Sequence, residues 1–276
     1  MDYKRILTIQ DISCVGQCSL TVALPILSAC GLETAILPSA VLSTHTMGFT
    51  DFTVRDLSDD IPRIAAHWEK EGIKFDGIYT GYLGSTDQID YVMDIFNKLM
   101  NDGGKKIVDP AMADFGKLYP AFDAEYVEAM KKLVAISDLT IPNITEAAFL
   151  TGIDYKEEYD EDYMKSLVKG LLELGAKEVV LTGVSYDESS TGILVASDSN
   201  YQYYKHEKLP ISCHGTGDVY ASAFVGAYLH GKSSYEAAGI AGEYTVKCIK
   251  NTIGDDSHWY GVKFEPVLPE LIKVLY

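Results

Sequence analysis

Residues 213–224 read CHGTGDVYASAF, in which two glycines and an acid stand directly before a helical pattern. Large side chains recur at four-residue steps from Tyr220 onward, so a helix is predicted to begin at this point. Gly215 and Gly217 let a ligand approach the main chain closely, because neither carries a side chain. The free N–H groups at the start of a helix attract an anion. The sequence therefore predicts an anion site at a helix N-terminus.

Asp218 follows the second glycine, and its carboxylate would compete with an anion for the same positive helix end. Two interpretations are open. In the first, backbone N–H groups hold a phosphoryl group during transfer while Asp218 removes a proton from the attacking hydroxyl. In the second, Asp218 is simply the N-cap of the helix, a position in which Asp is common. The motif alone favours neither.

The rest of the chain alternates strand and helix patterns with short connections between them. This order predicts right-handed βαβ units around one mainly parallel sheet, hence an α/β fold. The alternating runs at residues 192–197 and 201–206 predict a hairpin that turns around Ser199-Asn200. No shift in composition and no linker rich in Pro or Ser interrupts the sequence. Residues 1–276 are therefore expected to form a single domain.

Four predicted strands end in residues that suit ligand chemistry, which α/β sheets place at the carboxyl ends of parallel strands. These ends are Thr80-Gly81-Tyr82, Asp109-Pro110, Pro142-Asn143 and Thr182-Gly183. Purely structural roles are also open for two of the acids. Asp109 could cap the following loop, and Glu146 could stabilise the first turn of a helix by interacting with the helix dipole. His45, in the polar loop at residues 43–49, is by itself more typical of a loop hydrogen bond than of catalysis.

The composition excludes some classes of partner. A net charge of −17 argues against nucleic acid and anionic membranes, because binding to phosphates needs clustered Lys and Arg. No apolar run approaches the roughly 18 residues of a membrane span. The 5 cysteines are an odd number without disulfide or zinc spacing, which indicates a reducing compartment, the cytoplasm. Binding of the phosphates of a nucleotide would therefore depend on backbone amides, a divalent metal and a few lysines.

Taken together, these segments resemble the ribokinase-like superfamily, and within it the pyridoxal kinase group. The resemblance extends from the first strand to the helix after Gly217. Each motif alone is common, whereas the whole set in this order is specific. The set comprises His45-Thr46, Thr80-Gly81-Tyr82, Asp109-Pro110 with Asp114 and the run at residues 116–119, Pro142-Asn143 with Glu146, and Gly215-Thr216-Gly217-Asp218.

The resemblance implies a single three-layer α/β/α sandwich and an ATP-dependent kinase for the hydroxymethyl group of a B6 vitamer. Asp218 would be the general base, and Gly215, Thr216 and Gly217 the anion hole. Mg²⁺ would be held through water by Asp109 and Glu146, since Mg²⁺ takes few protein ligands. The vitamer would contact Asp11, His45, Thr46 and Tyr82. ATP would contact Asp109, Asp114, Asn143, Glu146, Thr182, Gly183 and Thr216. A homodimer and a requirement for a monovalent cation are further implications.

Two residues depart from the pattern of the group. Asp11 stands where pyridoxal kinases typically have Ser, which affects the choice of vitamer, and Ile141 stands where many have Thr, which affects one phosphate contact. Related hydroxymethylpyrimidine kinases typically have Cys in place of Asp218, so the acid favours the pyridoxal kinases. Some dual-activity kinases carry a reactive Cys where this chain has Asp114, so covalent trapping of an aldehyde is not expected.

Three other functions compete with a B6 kinase. A hydroxymethylpyrimidine kinase would share the fold and the chemistry. A catalytically silent ligand-binding protein would share only the fold, and the presence of Asp218 argues against it. A dinucleotide-binding oxidoreductase would need a GxGxxG motif after the first strand, which the sequence lacks.

Overall fold

One nine-stranded sheet forms the centre of the structure, a computed structural model that describes residues 3–198, 200–211 and 213–276. The described strands are β1 (Arg5–Ser13), β2 (Glu33–Leu42), β3 (Val54–Asp56), β4 (Phe75–Thr80), β5 (Met100–Val108), β6 (Ala113–Asp114), β7 (Lys117–Leu118), β8 (Leu139–Thr140), β9 (Val179–Asp187), β10 (Ser190–Ser197) and β11 (Asn200–Glu207). Their order in the sheet is β11-β10-β9-β8-β5-β4-β1-β2-β3, and β6 with β7 forms a separate two-stranded hairpin.

The sheet is parallel at its centre and antiparallel at both edges. Neighbours from β2 through β1, β4, β5 and β8 to β9 pair in parallel. At the edges, β3 pairs antiparallel with β2, and β10 pairs antiparallel with both β9 and β11. The mainly parallel α/β sheet is therefore confirmed. The predicted hairpin is also present as β10 and β11, while Ser199 of its turn lies outside the described residues.

Helices cover both faces of the sheet. In the part of the chain that the structure describes they are α1 (Leu20–Ala29), α2 (Ile61–Lys70), α3 (Thr86–Leu99), α4 (Ala124–Ala135), α5 (Ile144–Thr151), α6 (Glu161–Leu174), α7 (Thr216–Leu229), α8 (Ser234–Thr252) and α9 (Leu268–Leu275), with short 3₁₀ turns at Asp256–His258 and Glu265–Val267. Across the described ranges, none of the helices is long and apolar enough to span a membrane.

Two hydrophobic cores produce the three layers. Successive strand residues point to opposite faces, so Leu7 and Ile9 of β1 pack in one core and Ile6 in the other. The first core buries apolar residues of α2 to α6, and the second buries those of α1, α7, α8 and α9. Beyond its first turn α7 is almost entirely buried, so its apolar residues lie on all sides, and Phe224 and Val225 are both buried.

Several elements are longer than the sequence pattern predicts. The first strand was expected over residues 5–10, and it continues to Ser13 with a bulge after Gln10. The extension exists because residues 12 and 13 pair with β2 beyond the bulge, which the apolar pattern of one strand cannot reveal. It places Asp11 inside the strand, where the side chain is buried rather than in a solvated turn.

Candidate active site

The carboxyl ends of the parallel strands lie along one edge of the sheet, where main-chain hydrogen bonds join the departing loops. The N–H of Asp109, after β5, donates to the carbonyl of Thr80 at the end of β4 at 3.0 Å. The N–H of Thr182 on β9 donates to the carbonyl of Pro142 at 2.9 Å, next to a bridge between Asn143 and Thr182. The four strand ends identified in the sequence are thus held side by side.

The glycine turn before α7 leaves space for a ligand. Gly215 is the N-cap and has a left-handed backbone with φ 76°. A Cβ at Gly215 would collide with the carbonyl oxygen of Gln17, so both the conformation and the space require glycine. A Cβ at Gly217 would meet no other atom within 4 Å. The hydroxyl of Thr216 donates to the carbonyl of Cys213 at 3.2 Å, which closes the turn.

Asp218 is the third residue of α7, so its interpretation as the N-cap is wrong. Gly215 takes that position because the corner requires a left-handed backbone. The carboxyl group of Asp218 is desolvated, which raises its pKa to about 7, and the charge of Asp11 acts in the same direction. The N–H of Ser19 and the thiol of Cys18 face the carboxylate and oppose this shift. A carboxyl group that titrates near neutral pH is suited to general-base catalysis.

Asp11 and Tyr82 are neighbours at the ends of β1 and β4. Asp11 is 5% exposed, burial raises its pKa, and the hydroxyl of Ser13 donates to its carboxylate at 3.0 Å. Burial raises the pKa of the Tyr82 phenol, and the negative charge of Asp11 raises it further. The ring of Tyr82 lies 5.4 Å from that of Phe122, centroid to centroid. Asp11 is therefore close both to a partly exposed aromatic ring and to Asp218.

His45 is buried, and both of its ring nitrogens already have partners within the chain. Nδ1 accepts from the N–H of Met47 at 3.2 Å, so Nε2 carries the proton and donates to the carbonyl of Tyr260 at 2.7 Å. The loop hydrogen bond that a lone histidine suggests is thus present. Thr46, the next residue, is exposed. Substrate contacts by His45 and Thr46 remain predictions, and those of His45 would use the ring carbons.

Glu146 combines a structural role with a place beside Asp109. Its carboxylate oxygens accept from the N–H groups of Met112 at 3.1 Å and Asn143 at 2.8 Å. The second bond belongs to a capping box, in which the Asn143 side chain accepts from the N–H of Glu146 at 2.9 Å. The first-turn role that the sequence left open for Glu146 is therefore present. Any metal would be bound through water, since both oxygens are engaged.

Asp109 and Glu146 repel each other in a desolvated environment. Burial raises the pKa of Glu146 to about 8. Burial also raises the pKa of Asp109 well above its usual range, and the charges of Glu146 and Asp218 raise it further. No hydrogen bond reaches the Asp109 carboxylate from any residue the structure describes, so Asp109 does not cap the following loop there. Its carboxylate is left for a ligand.

The remaining residues expected at the nucleotide lie on neighbouring elements. Asp114 is exposed at the end of β6, where its carboxylate accepts from the N–H of Phe115 at 2.9 Å. Its charge contributes to the raised pKa of Glu146, so the two side chains are near each other. The hydroxyl of Thr182 donates to the carbonyl of Pro142 at 3.2 Å, and Gly183 beside it has a left-handed backbone.

The acids of this site have no cationic partner. Among the described residues, Asp11, Asp109, Glu146 and Asp218 take part in no ion pair within 4 Å. Nor do three or more His, Cys, Asp or Glu side chains there form a group able to hold a metal. Two acids without a counter-ion fit a cation that keeps most of its waters, such as Mg²⁺. The donor set thus agrees with water-mediated binding.

Two parts of the site were not predicted from the sequence. One is the segment at residues 258–261, whose Trp259 ring lies 4.7 Å from Phe49 and whose Tyr260 carbonyl binds His45. The other is the turn at residues 16–19, which packs against the glycine turn. The density of aromatic residues at 258–260 is the one signal that could have indicated the first. A turn with Gly16 is expected from the sequence, but its contact with the glycine turn is not.

Comparisons with known proteins agree with this geometry. A family model described as phosphomethylpyrimidine kinase matches residues 27–262. A Bacteroides thetaiotaomicron structure with pyridoxal, assigned as a phosphomethylpyrimidine kinase, is 34% identical with a TM-score of 0.92, and the match covers 98% of this chain and 96% of that one. Pyridoxal kinase from Lactobacillus plantarum is 30% identical with a TM-score of 0.91 over 99% and 98% of the two chains.

A more distant relative by sequence is the pyridoxal kinase of Arabidopsis thaliana, which is 27% identical over 239 residues, or 82% of this chain and 74% of that protein. The family match covers most of the chain, and the two solved structures share nearly its whole fold. The chain is thus a kinase of the phosphomethylpyrimidine kinase family, with the ribokinase-like fold of the pyridoxal kinases.

Proposed function

We propose that this protein transfers the γ-phosphoryl group of ATP to the 5-hydroxymethyl group of a B6 vitamer: pyridoxal, pyridoxamine or pyridoxine. The observation that carries the proposal is Asp218, a carboxyl group with a pKa of about 7 in the first turn of α7, beside the open glycine turn. The pyridoxal in the similar Bacteroides structure supports a vitamer as the acceptor.

In the proposed reaction, the substrate hydroxyl gives its proton to the Asp218 carboxylate as its oxygen attacks the γ-phosphorus. The bond from the γ-phosphorus to the bridging oxygen breaks, and ADP leaves with that oxygen. Backbone N–H groups of Gly215, Thr216 and Gly217 stabilise the negative charge on the phosphoryl oxygens. The ionised form of Asp218 is the active one, because only that form accepts the proton.

Asp109 and Glu146 would hold Mg²⁺ through its waters, and the metal would neutralise the ATP phosphates. Asp114, Asn143, Thr182 and Gly183 would line the nucleotide site beside them. A monovalent-cation requirement and a homodimer are proposed from the family resemblance. We also propose that residues 1–276 act as one kinase domain. The five cysteines without disulfide spacing support a cytoplasmic location.

We propose that pyridoxamine is the preferred vitamer, and the support is Asp11. Its buried carboxylate accepts a hydrogen bond from the hydroxyl of Ser13, and no cationic side chain among the described residues lies within 4 Å of it. Pyridoxamine brings an ammonium group near neutral pH, whereas pyridoxal and pyridoxine do not. A charge-assisted hydrogen bond to Asp11 is roughly twice as strong as a neutral one. His45, Thr46 and Tyr82 would form the remainder of the vitamer site.

The test is phosphate transfer from ATP with Mg²⁺ to each of the three vitamers and to hydroxymethylpyrimidine. We expect vitamer turnover in the wild type, and a loss in kcat of about 10²–10⁴-fold in Asp218→Asn without loss of ATP binding. Faster transfer to hydroxymethylpyrimidine would favour the second candidate, a hydroxymethylpyrimidine kinase, which the family description suggests. Absence of any turnover would identify a non-catalytic binding protein.

A further inference from the structure

We infer that Tyr159, in the connection between α5 and α6, is a positioning residue of the nucleotide site, where its hydroxyl holds the main chain of β9 in shape. This inference rests on the proposed function, in which Thr182 and Gly183 of β9 line the site for ATP. Tyr159 acts through the main chain of β9 and belongs to neither the phosphoryl-transfer residues nor the vitamer site.

The strand β9 is irregular at Gly183. Gly192 and Ile193 are consecutive on β10, whereas their partners on β9 are two residues apart, at Val184 and Thr182. Gly183 is therefore an extra residue on its strand, which constitutes a β-bulge. Its backbone is left-handed with φ 75°, and a Cβ there would meet no other atom within 4 Å. The bulge thus leaves an open stretch of main chain at the strand end where the nucleotide is expected.

The hydroxyl of Tyr159 binds main-chain groups on both sides of the bulge. A bulge interrupts the ladder between strands, so the groups that it frees need other partners. Tyr159 accepts from the N–H of Ser185 at 3.0 Å and donates to the carbonyl of Gly183 at 3.5 Å. The carbonyl of Val184, between these two residues, accepts from the hydroxyl of Tyr203 on β11 at 2.9 Å. The shape of the bulge therefore depends on side chains outside its own strand.

The ring of Tyr159 is held in place independently of its hydroxyl. The next residue, Asp160, is the N-cap of α6, and its carboxylate accepts from the N–H of Tyr163 at 2.8 Å. The Tyr159 ring lies 6.2 Å from the Tyr163 ring, centroid to centroid, and packs at the edge of the first core. Because Phe retains these ring contacts, Tyr159→Phe removes the two hydrogen bonds to β9 and leaves the packing intact.

The experiment compares Tyr159→Phe with Tyr244→Phe as the matched control. The hydroxyl of Tyr244 also donates to a main-chain carbonyl, that of Phe264 at 3.1 Å, but it lies on α8 in the second core. The measurements are the Kd for ATP with Mg²⁺, by equilibrium dialysis, and the steady-state constants for ATP and vitamer.

For Tyr159→Phe we expect Kd and KM for ATP to rise about three- to tenfold, as loss of a hydrogen bond that orders the site implies. Its kcat at saturating ATP and its KM for the vitamer should stay within about twofold of the wild type, because the bulge contributes to binding and not to the chemical step. Tyr244→Phe should bind ATP like the wild type.

An unchanged Kd for ATP in Tyr159→Phe overturns the inference, because a purely structural tyrosine would lower only the unfolding temperature. An equal rise in Tyr244→Phe also overturns it, as does a fall in kcat without a rise in KM for ATP. Failure of the proposed function gives a different result, in which the wild type phosphorylates no vitamer. The dialysis then still compares ATP binding in the two variants and tests the role of Tyr159 by itself.

Discussion

Desolvated carboxylates are costly because water no longer solvates their charge, and in this site no lysine or arginine of the described residues lies within 4 Å to compensate. One such pair of carboxylates is Asp11, near the end of β1, and Asp218, at the start of α7. The second pair is Asp109 and Glu146, which lie where the phosphates of ATP are expected. The two members of the second pair differ in their donors, since Glu146 accepts from backbone N–H groups and Asp109 accepts from none of the described residues. At the scale of single residues, the site is thus built to receive cations.

Asp11 provides a direct test of this view, because its replacement by Ser restores the residue typical of pyridoxal kinases. We expect wild-type kcat/KM for pyridoxamine to exceed that for pyridoxine by about tenfold, which corresponds to about 1–2 kcal/mol for a partly desolvated charged pair. In Asp11→Ser the preference should disappear, since a hydroxyl cannot attract the ammonium as strongly. The measurement is kcat/KM for all three vitamers in both proteins. A preference that persists in Asp11→Ser would show that another residue selects the vitamer.

The first turn of α7 is the element on which the chemistry depends. Its two glycines have different physical requirements, although the sequence pattern presents them alike. Gly215 needs a left-handed backbone and has no room for a side chain, because the Gln17 carbonyl fills the space. Gly217 has open space next to it instead. The open side is where a phosphoryl group is expected.

The substitutions Gly215→Ala and Gly217→Ala should therefore have different effects. Gly215→Ala is expected to lower the free energy of unfolding by about 1–3 kcal/mol, because it forces a strained backbone and a clash. Gly217→Ala should unfold at the wild-type temperature and lose kcat, because its methyl group enters the phosphoryl space. Thermal unfolding and initial rates measure the two quantities separately. Equal stability of the two variants would contradict the assignment of the two glycines.

Much of the structure of this helix start could be predicted, because neighbouring residues in the sequence determine it. The glycine pair and the helical spacing after Asp218 indicate the helix start, and parallel strands bring Asp109 to the same edge. The choice between base and N-cap could not be made, because it depends on which residue occupies the left-handed corner. A turn at Gly16 could be predicted, but its contact with Gly215 and the contact of His45 with Tyr260 could not. Each depends on segments far apart in the sequence, and only packing brings them together.

At the scale of the whole molecule, a small part of the chain's acidic residues affects how stability depends on pH. The chain carries −17 overall, and at one edge of the sheet the acids Asp11 and Glu146 are buried while Asp109 and Asp218 are half-buried. Their raised pKa values mean that the folded protein binds protons more tightly than the unfolded chain. Stability therefore decreases as pH rises, wherever these groups lose protons in the folded state. A bound cation should reverse part of this loss.

The metal-free protein should consequently be less stable at about pH 8 than at about pH 6.5. The relevant groups are Glu146 and Asp218, with pKa values of about 8 and about 7 against ordinary values near 4. In the folded protein these two carboxyl groups are still partly protonated at the lower pH. They become charged as the pH rises through their pKa values.

The measurement is the unfolding temperature at both pH values, with EDTA or with Mg²⁺. We expect a decrease of roughly 5 °C or more from the lower to the higher pH in EDTA. The decrease should be smaller in Mg²⁺, because binding to the charged acids stabilises the folded state at the higher pH. Glu146→Gln should also reduce the decrease, since it removes one of the titrating groups, although loss of the capping box will lower stability at both pH values. An unfolding temperature that stays constant or rises with pH in EDTA would contradict the raised pKa values of these two acids, which come from desolvation without a counter-ion.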